Sequence, residues 1–330
     1  MNNSLEAAAA ALRGKKRVLA LTHVNPDGDA IGSAAAIAHV VMAKGCDCRL
    51  FLGTGLPEFL SFLPLPCPWV RSLDELDGWR PDLAVATDCG DASRTGVLED
   101  FFLTRRAPVS GWETTATLNI DHHLHNTLFA DSNWADCRYA ATGLMVGLLA
   151  EYLDLPLAGD LGWAVYLSLV ADTGNFSFAN TDAECFAMAG RVVRSGLRVA
   201  DFSQKYENVW TLERMRLWGR LLSEVTLHKG GAVACSLVPR RYLRDLGLKK
   251  SSLDGYASWL RKIRGVRVAV FIREDEDGVC KLSLRGTGVN VQKVAASFGG
   301  GGHAAAAGAD VAMSPRALAG AVLDALEAEL

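Results

Sequence analysis

Acidic and imidazole side chains recur in this sequence directly after apolar segments. The stretch 22–33 contains His23, Asp27 and Asp29 after the apolar run 17–21. Two carboxylates one residue apart repel each other unless a cation lies between them. Imidazole and carboxylate suit hard or borderline cations such as Mn²⁺ and Mg²⁺. The stretch therefore predicts a metal-binding loop, and a polar turn whose aspartate caps a helix is the alternative.

Three more groups of the same kind follow apolar segments further along the chain. They are Asp88, the run Asp121-His122-His123, and Asp172. A histidine satisfied within the core is the alternative for the paired histidines. Because the carboxyl ends of parallel strands meet at one edge of a sheet, we expect these groups to converge with the first. Together they supply enough ligands for two metal ions that share one bridging carboxylate.

The segments between these groups predict an α/β fold with one parallel sheet. Apolar runs typical of buried parallel strands occur at 17–21, 48–52, 83–87 and 117–120. Helical patterns occur at 30–44, 141–153 and 162–169. Thr142 either caps the second of these helices or donates a hydrogen bond to a phosphate. The carboxyl edge of the predicted sheet thus collects the charged groups.

The composition changes to strands and turns after residue 225. Strands are predicted at 232–238, 266–272 and 279–284, with a helix at 291–298. The glycines at 299–302 leave backbone N–H groups open to an anion, and His303 adds a donor; a flexible turn is the alternative. We therefore divide the chain into a parallel-sheet domain, a helical linker and a smaller α/β domain. Their predicted ranges are 1–190, 191–225 and 226–330.

Composition limits the partners of this chain of 330 residues. Half of it is apolar and its formal net charge is -3, which argues against a long nucleic-acid track that neutralises many phosphates. The eight cysteines are scattered without a Cys-x-x-Cys pair, as expected for reduced thiols in the cytoplasm. No stretch has the eighteen or so apolar residues of a membrane span. We expect a cytoplasmic protein that binds no membrane.

The order His23-x-x-x-Asp27-x-Asp29, Asp88, Asp121-His122-His123, Asp172 resembles the DHH phosphoesterase superfamily. Ser283-Leu284-Arg285 followed by the glycine run and His303 resembles its DHHA1 partner domain. Within the superfamily the chain is similar to the NrnA type, a bifunctional oligoribonuclease (nanoRNase) and phosphatase of 3′-phosphoadenosine 5′-phosphate (pAp). Two positions depart from that pattern: Gly286 stands in place of serine, and Leu144 in place of an acidic residue.

The resemblance implies two Mn²⁺ ions, with Mg²⁺ or Co²⁺ as alternatives. One ion is expected on His23, Asp27 and Asp88, and the second on Asp29, Asp88, His122 and Asp172. The same resemblance makes Asp88 the bridging catalytic carboxylate. It also implies that Asp121 orients a histidine and that His123 faces the scissile phosphate. In the second domain, the implied substrate-binding residues are Arg285, Gly300, Gly301, Gly302 and His303.

The implied activity is a manganese-dependent phosphoesterase that hydrolyses short oligoribonucleotides to mononucleotides and dephosphorylates pAp. A water activated between the two metals would attack phosphorus in line. The expected partners of the protein are then short single-stranded RNA oligonucleotides and pAp. A homodimer is an alternative to a monomer. A phosphodiesterase for cyclic dinucleotides such as c-di-AMP, or for linear dinucleotides, is the enzymatic alternative. A nucleotide-binding sensor module is the non-enzymatic one.

Overall fold

A computed structural model describes residues 3–108, 110–207, 209–275 and 278–330. The chain divides into two compact units, Met1–Val209 and Trp210–Leu330. The boundaries at 190 and 225 given above stay predictions. Within the described ranges, no helix is both long enough and apolar enough to cross a bilayer.

The first unit is built on a six-stranded sheet in which all neighbouring strands are parallel. Its spatial order is β3-β2-β1-β4-β5-β6, so the chain adds strands to one side of β1 and then to the other. Ligands bind at such a switch point, beside the carboxyl ends of the two central strands. The strands are β1 Arg17–Leu21, β2 Asp47–Phe51, β3 Trp69–Val70, β4 Leu83–Thr87, β5 Ala116–Asp121 and β6 Ser132–Ala135.

The predicted parallel sheet is confirmed, with β3 and β6 as additional edge strands. Both are short, and β6 begins with Ser132 and Asn133, so neither has the apolar run that identifies a buried strand. The helices of this unit are α1 Leu5–Leu12, α2 Gly28–Ala43, α3 Glu99–Thr104, α4 Thr142–Tyr152, α5 Gly159–Asp172, α6 Ala183–Arg194 and α7 Val199–Tyr206.

Three helices of the first unit are almost entirely buried. Residues of α2, α4 and α5 join the apolar side chains of the sheet in one core. This explains why these segments are apolar on every side rather than amphipathic. The other face of the sheet packs against a smaller cluster that includes Phe101, Phe102 and Trp112. Buried on both faces, the sheet holds the loops at its carboxyl edge on a rigid support.

The second unit has a mixed six-stranded sheet in the order β11-β12-β10-β9-β8-β7, with β8 and β9 parallel. Residues of β10 alternate between buried and partly exposed, and the apolar residues of each sheet face pack in a separate core. The strands are β7 Thr226–His228, β8 Val233–Val238, β9 Val268–Glu274, β10 Cys280–Gly286, β11 Gly301–His303 and β12 Ala306–Val311. The helices are α8 Leu212–Ser223, α9 Arg240–Asp245, α10 Tyr256–Leu260, α11 Val291–Ser297 and α12 Pro315–Ala325.

Candidate active site

The loops after β1 and β4 meet at the switch point of the first sheet. His23 follows β1, Asp88 follows β4, and His23 Nε2 lies 3.6 Å from Asp88 Oδ2. His23 Nδ1 lies 2.9 Å from the carbonyl oxygen of Val24. Since a carbonyl oxygen only accepts, Nδ1 carries the proton and Nε2 turns its lone pair to the carboxylate. Burial lowers the pKa of His23, but the negative Asp88 carboxylate raises it more, so the net shift is upward.

Asp88 is the buried carboxylate at the centre of the site. Its backbone is left-handed (φ 58°), a conformation that aspartate tolerates, and this turns the chain directly after β4. Thr142 Oγ1 donates to Asp88 Oδ1 over 3.1 Å. Burial raises the pKa of Asp88, but the neighbouring imidazoles of His23, His122 and His123 lower it more, so the net shift is downward. The side chain is therefore held as an anion.

The first loop supplies both a helix cap and a buried acid. Asp27 Oδ1 accepts from the backbone N–H groups of Asp29 and Ala30, each over 3.1 Å, so Asp27 is the N-cap of α2. Asp29 lies in the first turn of that helix and is 1% exposed. It accepts hydrogen bonds from the Ser168 hydroxyl, from Thr142 N over 2.8 Å and from Gly143 N over 3.1 Å. Asp27 therefore caps the helix and also lies among candidate metal ligands.

Close packing at two glycines brings α2 next to the end of α5. A Cβ at Gly28 would lie 2.5 Å from the Cβ of Ala171, and one at Gly32 would lie 2.7 Å from the carbonyl oxygen of Ala164. Only glycine permits this approach. It brings the first turn of α2, with Asp29, close to Asp172, the last residue of α5.

His122 faces three carboxylates with one ring nitrogen. Its Nε2 lies 3.6 Å from Asp29 Oδ2, 3.6 Å from Asp88 Oδ1 and 3.5 Å from Asp172 Oδ2. Its Nδ1 lies 3.3 Å from the carbonyl oxygen of Tyr139, which keeps the proton on Nδ1. At this distance the lone pair on Nε2 and the carboxylate oxygens repel one another unless a proton or a cation lies between them.

His123 is held differently and is half exposed. Its Nδ1 lies 2.7 Å from Asp121 Oδ1, and Asp121 is fully buried. Asn126 Nδ2 donates to the other oxygen of Asp121 over 2.6 Å. The hydrogen bond to Asp121 raises the pKa of His123 to about 9, although burial lowers it. The charged imidazolium is thus favoured, and its Nε2–H can donate a hydrogen bond to a ligand.

The carboxylates of this site also repel one another. Burial raises the pKa of Asp29 well above its usual value, and the charges of Asp88 and Asp172 raise it further. Burial raises the pKa of Asp172 to about 6, against the opposing charge of His122. Divalent cations would remove this repulsion and satisfy the imidazole lone pairs, so the residues present fit a metal centre.

The six predicted metal ligands come together in the structure. Among the described residues, three groups have ligand atoms that lie within 4.8 Å of one another. Asp88 belongs to two of the groups, and His122 also belongs to two. The groups are His23, Asp27 and Asp88; Asp29, His122 and Asp172; and Asp88, His122 and His123.

In the second unit, Arg285 lies in a row of small residues that crosses the sheet. Arg285 on β10 is opposite Ala269 on one side and Ala306 on the other, and Ala306 is opposite His303. Residues directly opposite each other share a face, so Arg285 and His303 project from the same face with one methyl group between them. A neighbouring row on that face consists of Ser283, Gly308 and Gly301.

The predicted glycines have different surroundings. A Cβ at Gly302 would lie 2.5 Å from the carbonyl oxygen of Ala306, and one at Gly300 would overlap Gly308 and Ala309. These two positions therefore require glycine for packing against β12. A Cβ at Gly301 would meet no atom within 4 Å. Only Gly301 of the three thus borders open space on the face that carries Arg285.

The two departures from the family pattern have packing reasons. A Cβ at Gly286 would lie 2.5 Å from the carbonyl oxygen of Val289, so serine does not fit this loop. Leu144 is fully buried in the core of the first unit, where an acidic residue would lose its hydration.

The sequence did not reveal the groups that hold the ligands. Thr142 was expected to cap a helix or to meet a phosphate; the N-cap is Ala141, and Thr142 binds Asp29 and Asp88 instead. Ser168 was not singled out, although a serine one helical turn before Asp172 in an apolar helix was a usable signal. The carbonyl of Tyr139 could not have been found, because backbone groups leave no trace in composition.

Comparisons with known proteins identify a family for a segment of each unit. Residues 17–167 match the DHH family, N-terminal domain, and residues 230–329 match the DHHA1 domain. The bifunctional oligoribonuclease and PAP phosphatase NrnA of Thermus thermophilus is 34% identical over 290 residues, which cover 87% of this chain and 82% of that protein. Its Bacillus subtilis namesake is 28% identical over 300 residues, 88% of this chain and 87% of that protein. The crystal structure of an exopolyphosphatase-related protein from Bacteroides fragilis has the same fold, with a TM-score of 0.87 at 21% identity over 98% of this chain and 96% of that one.

Proposed function

The chain belongs to the DHH family of phosphoesterases, and we propose that it releases mononucleotides from short oligoribonucleotides and removes the 3′-phosphate of pAp. The family and the class of phosphoester hydrolase, both predicted from the motifs, are confirmed. The two proposed substrates rest on the names of the Thermus and Bacillus relatives, which describe both activities. The cytoplasmic location and the homodimer stay predictions.

The observation that carries the proposal is the sharing of Asp88 between ligand groups. Asp88 lies in one ligand group with His23 and Asp27, and its Oδ1 is also 3.6 Å from Nε2 of His122, which is grouped with Asp29 and Asp172. A carboxylate shared in this way is the usual bridge of two-metal hydrolases, whose ions are about 3.5 to 4 Å apart. A single structural ion would not need both groups of ligands.

We assign the first Mn²⁺ to His23, Asp27 and Asp88, and the second to Asp29, Asp88, His122 and Asp172. When bound, the two cations would lower the pKa of the attacking water and neutralise charge on the phosphoryl oxygens. The protein's part is to fix the ligands. The Ser168 hydroxyl and the backbone N–H groups after Ala141 orient Asp29, and main-chain carbonyls orient both imidazoles.

His123 is assigned to the phosphate rather than to a metal. Asp121 accepts from its Nδ1 and stabilises the charged ring, so Nε2 holds a proton that can be donated to a phosphoryl or leaving-group oxygen. Its half exposure leaves that nitrogen accessible. The site would then bind a phosphoester, stabilise the charge that develops, and protonate the leaving group.

The second unit is assigned to the phosphate end of the substrate that is not cleaved. Arg285 and His303 offer cationic or neutral donors above a floor of small residues that includes Ala306 and Gly301. A guanidinium binds phosphate in bidentate geometry. One such group, on a protein of net charge -3, favours substrates with few phosphates over long nucleic acids.

The test is a substrate panel with the purified full-length chain. The panel contains pAp, di- and trinucleotides, a 20-nucleotide RNA and c-di-AMP, each with Mn²⁺ and with EDTA. We expect Mn²⁺-dependent release of phosphate from pAp and of mononucleotides from the short RNAs. The highest kcat/KM of the panel should belong to a linear substrate and not to c-di-AMP. A higher kcat/KM for c-di-AMP than for any linear substrate would overturn the proposal in favour of a cyclic-dinucleotide phosphodiesterase. Equal turnover in EDTA would overturn the metal mechanism.

A further inference from the structure

A second guanidinium lies beside Arg285 in the second unit. Arg261 directly follows α10, and its Nη1 lies 3.4 Å from the carbonyl oxygen of Gly286 and 3.3 Å from Thr287 Oγ1. Gly286 is the chain neighbour of Arg285. Burial lowers the pKa of Arg285, and the positive charge of Arg261 lowers it further, so the two cations are within electrostatic reach.

Neither guanidinium has an acidic partner in the described part of the chain. Arg285 Nη1 donates to the carbonyl oxygen of Leu284 over 3.0 Å, and Arg261 makes only the contacts to Gly286 and Thr287 given above. The Nε of Arg261 is buried without a hydrogen-bond partner. Two adjacent cations without a counter-ion, one with an unsatisfied donor, are unfavourable unless an anion joins them.

The surroundings leave room for that anion. On one side of Arg285, Ala269 is fully buried in the core; on the other side, Ala306 is partly exposed and its side chain is a single methyl group. The adjacent row ends in Gly301, where a Cβ would meet no atom within 4 Å. A phosphate group can therefore lie above this floor, with guanidinium groups on one side and His303 on the other.

We propose that Arg261 is a further substrate-binding residue, which together with Arg285 holds a phosphomonoester dianion and gives the enzyme a preference for substrates with a terminal phosphate. This rests on the proposed function of the second unit. A phosphomonoester carries close to two negative charges near neutral pH, because its second ionisation has a pKa of about 6. A phosphodiester carries one. Two guanidiniums match the charge of the first and exceed that of the second.

The direct test measures binding in EDTA, without metal. AMP, a dianion at pH 8, is compared with its methyl ester, a monoanion of nearly the same shape, by isothermal titration calorimetry. The metal-free aspartates of the first unit repel both probes. We expect the wild-type protein to bind AMP more tightly than the ester, and Arg261→Gln to lower this preference about tenfold. The matched control is Arg264→Gln, an exposed cation three residues later.

This design separates binding from a structural role. If Arg261 only anchors the loop at Gly286, Arg261→Gln weakens both probes equally and the preference is unchanged, which overturns the inference. Arg261→Lys retains a charge and is the second variant if glutamine prevents folding. We expect an intermediate preference, since lysine cannot bind in bidentate fashion. The inference is also contradicted if the lysine variant and the folded glutamine variant both prefer AMP over its ester as strongly as the wild type does.

A kinetic comparison distinguishes this inference from the proposed function. The ratio of kcat/KM for 5′-phosphorylated and 5′-hydroxyl diadenylate is measured with Mn²⁺. We expect Arg261→Gln to lower this ratio about tenfold relative to Arg264→Gln. If Arg285→Gln raises KM while Arg261→Gln behaves like the control, the inference fails and the proposed function stands. If no nucleotide is hydrolysed, the proposed function fails, and the AMP titration still decides whether Arg261 binds a dianion.

Discussion

The candidate sites of the two units place opposite charges in opposite environments. The first unit buries Asp29 and Asp88 (1% and 3% exposed) and fixes them with hydrogen bonds from neighbouring helices and loops. The second unit places Arg285 and His303 on a partly exposed sheet face, beside residues with little or no side chain. Bound cations would stabilise the buried carboxylates, whereas partly exposed cations are accessible to a transient anion. This difference agrees with our proposal that the first unit carries the chemistry and the second unit binds the phosphate.

The largest expected effect is that of Asp88→Ala, which would remove the carboxylate that two ligand groups share. We expect kcat/KM for pAp to fall at least about 10⁴-fold, because both cations lose a ligand. The thermal stabilisation by Mn²⁺ should also disappear. Activity, metal content and melting temperature are measured together. The control is Asp100→Ala, an exposed acid on α3; an active Asp88→Ala variant with normal metal content would break the comparison.

His123→Ala tests whether chemistry and metal binding can be separated within the first unit. Because Asp121 rather than a metal is assigned to Nδ1 of this ring, the variant should retain both ions. We expect kcat to fall about 10²- to 10³-fold through loss of a proton donor. Metal content is measured by mass spectrometry, with the exposed His125→Ala as control. Loss of an ion in His123→Ala would instead make His123 a ligand.

Arg285→Gln tests the recognition half of the comparison. We expect KM for pAp to rise about tenfold through loss of a charge-assisted hydrogen bond, with a smaller change in kcat. Raising the salt concentration should reduce the difference between variant and wild type, because the site is partly exposed. Arg264→Gln is again the control. A large fall in kcat with an unchanged KM would give Arg285 a role in chemistry and remove the distinction between the units.

Ser168→Ala has the smallest expected effect, and it sharpens the account of the first unit. Asp29 loses one of its three donors but keeps the backbone N–H groups of Thr142 and Gly143. We expect about tenfold weaker Mn²⁺ binding, with kcat restored at saturating metal. Ser33→Ala removes a buried hydroxyl that donates only to the carbonyl of Ala30 and is the matched control. Equal Mn²⁺ affinity in both variants would show that Ser168 does not orient Asp29.

Local patterns predicted the parts of this structure that depend on neighbours in the chain. The apolar run before Asp88 indicated a buried strand, and the structure has β4 at the same residues. The edge strand β6 was missed because its polar residues pair through the backbone alone. Arg261 was missed because it belongs to no motif, and its relation to Arg285 exists only once β10 and α10 have packed. Contacts between distant segments, such as Ser168 with Asp29, leave no periodic signal.

The contact between Gly28 and Ala171 has a consequence for the interpretation of related sequences. The separation of Asp29 and Asp172 depends there on the packing of Gly28 against the Cβ of Ala171, and none of the candidate ligands takes part. A homologue could keep all six ligands and still hold them too far apart, if a larger residue stood at this glycine. We expect such a homologue to be a pseudoenzyme, which inspection of its ligand motifs alone would classify as active.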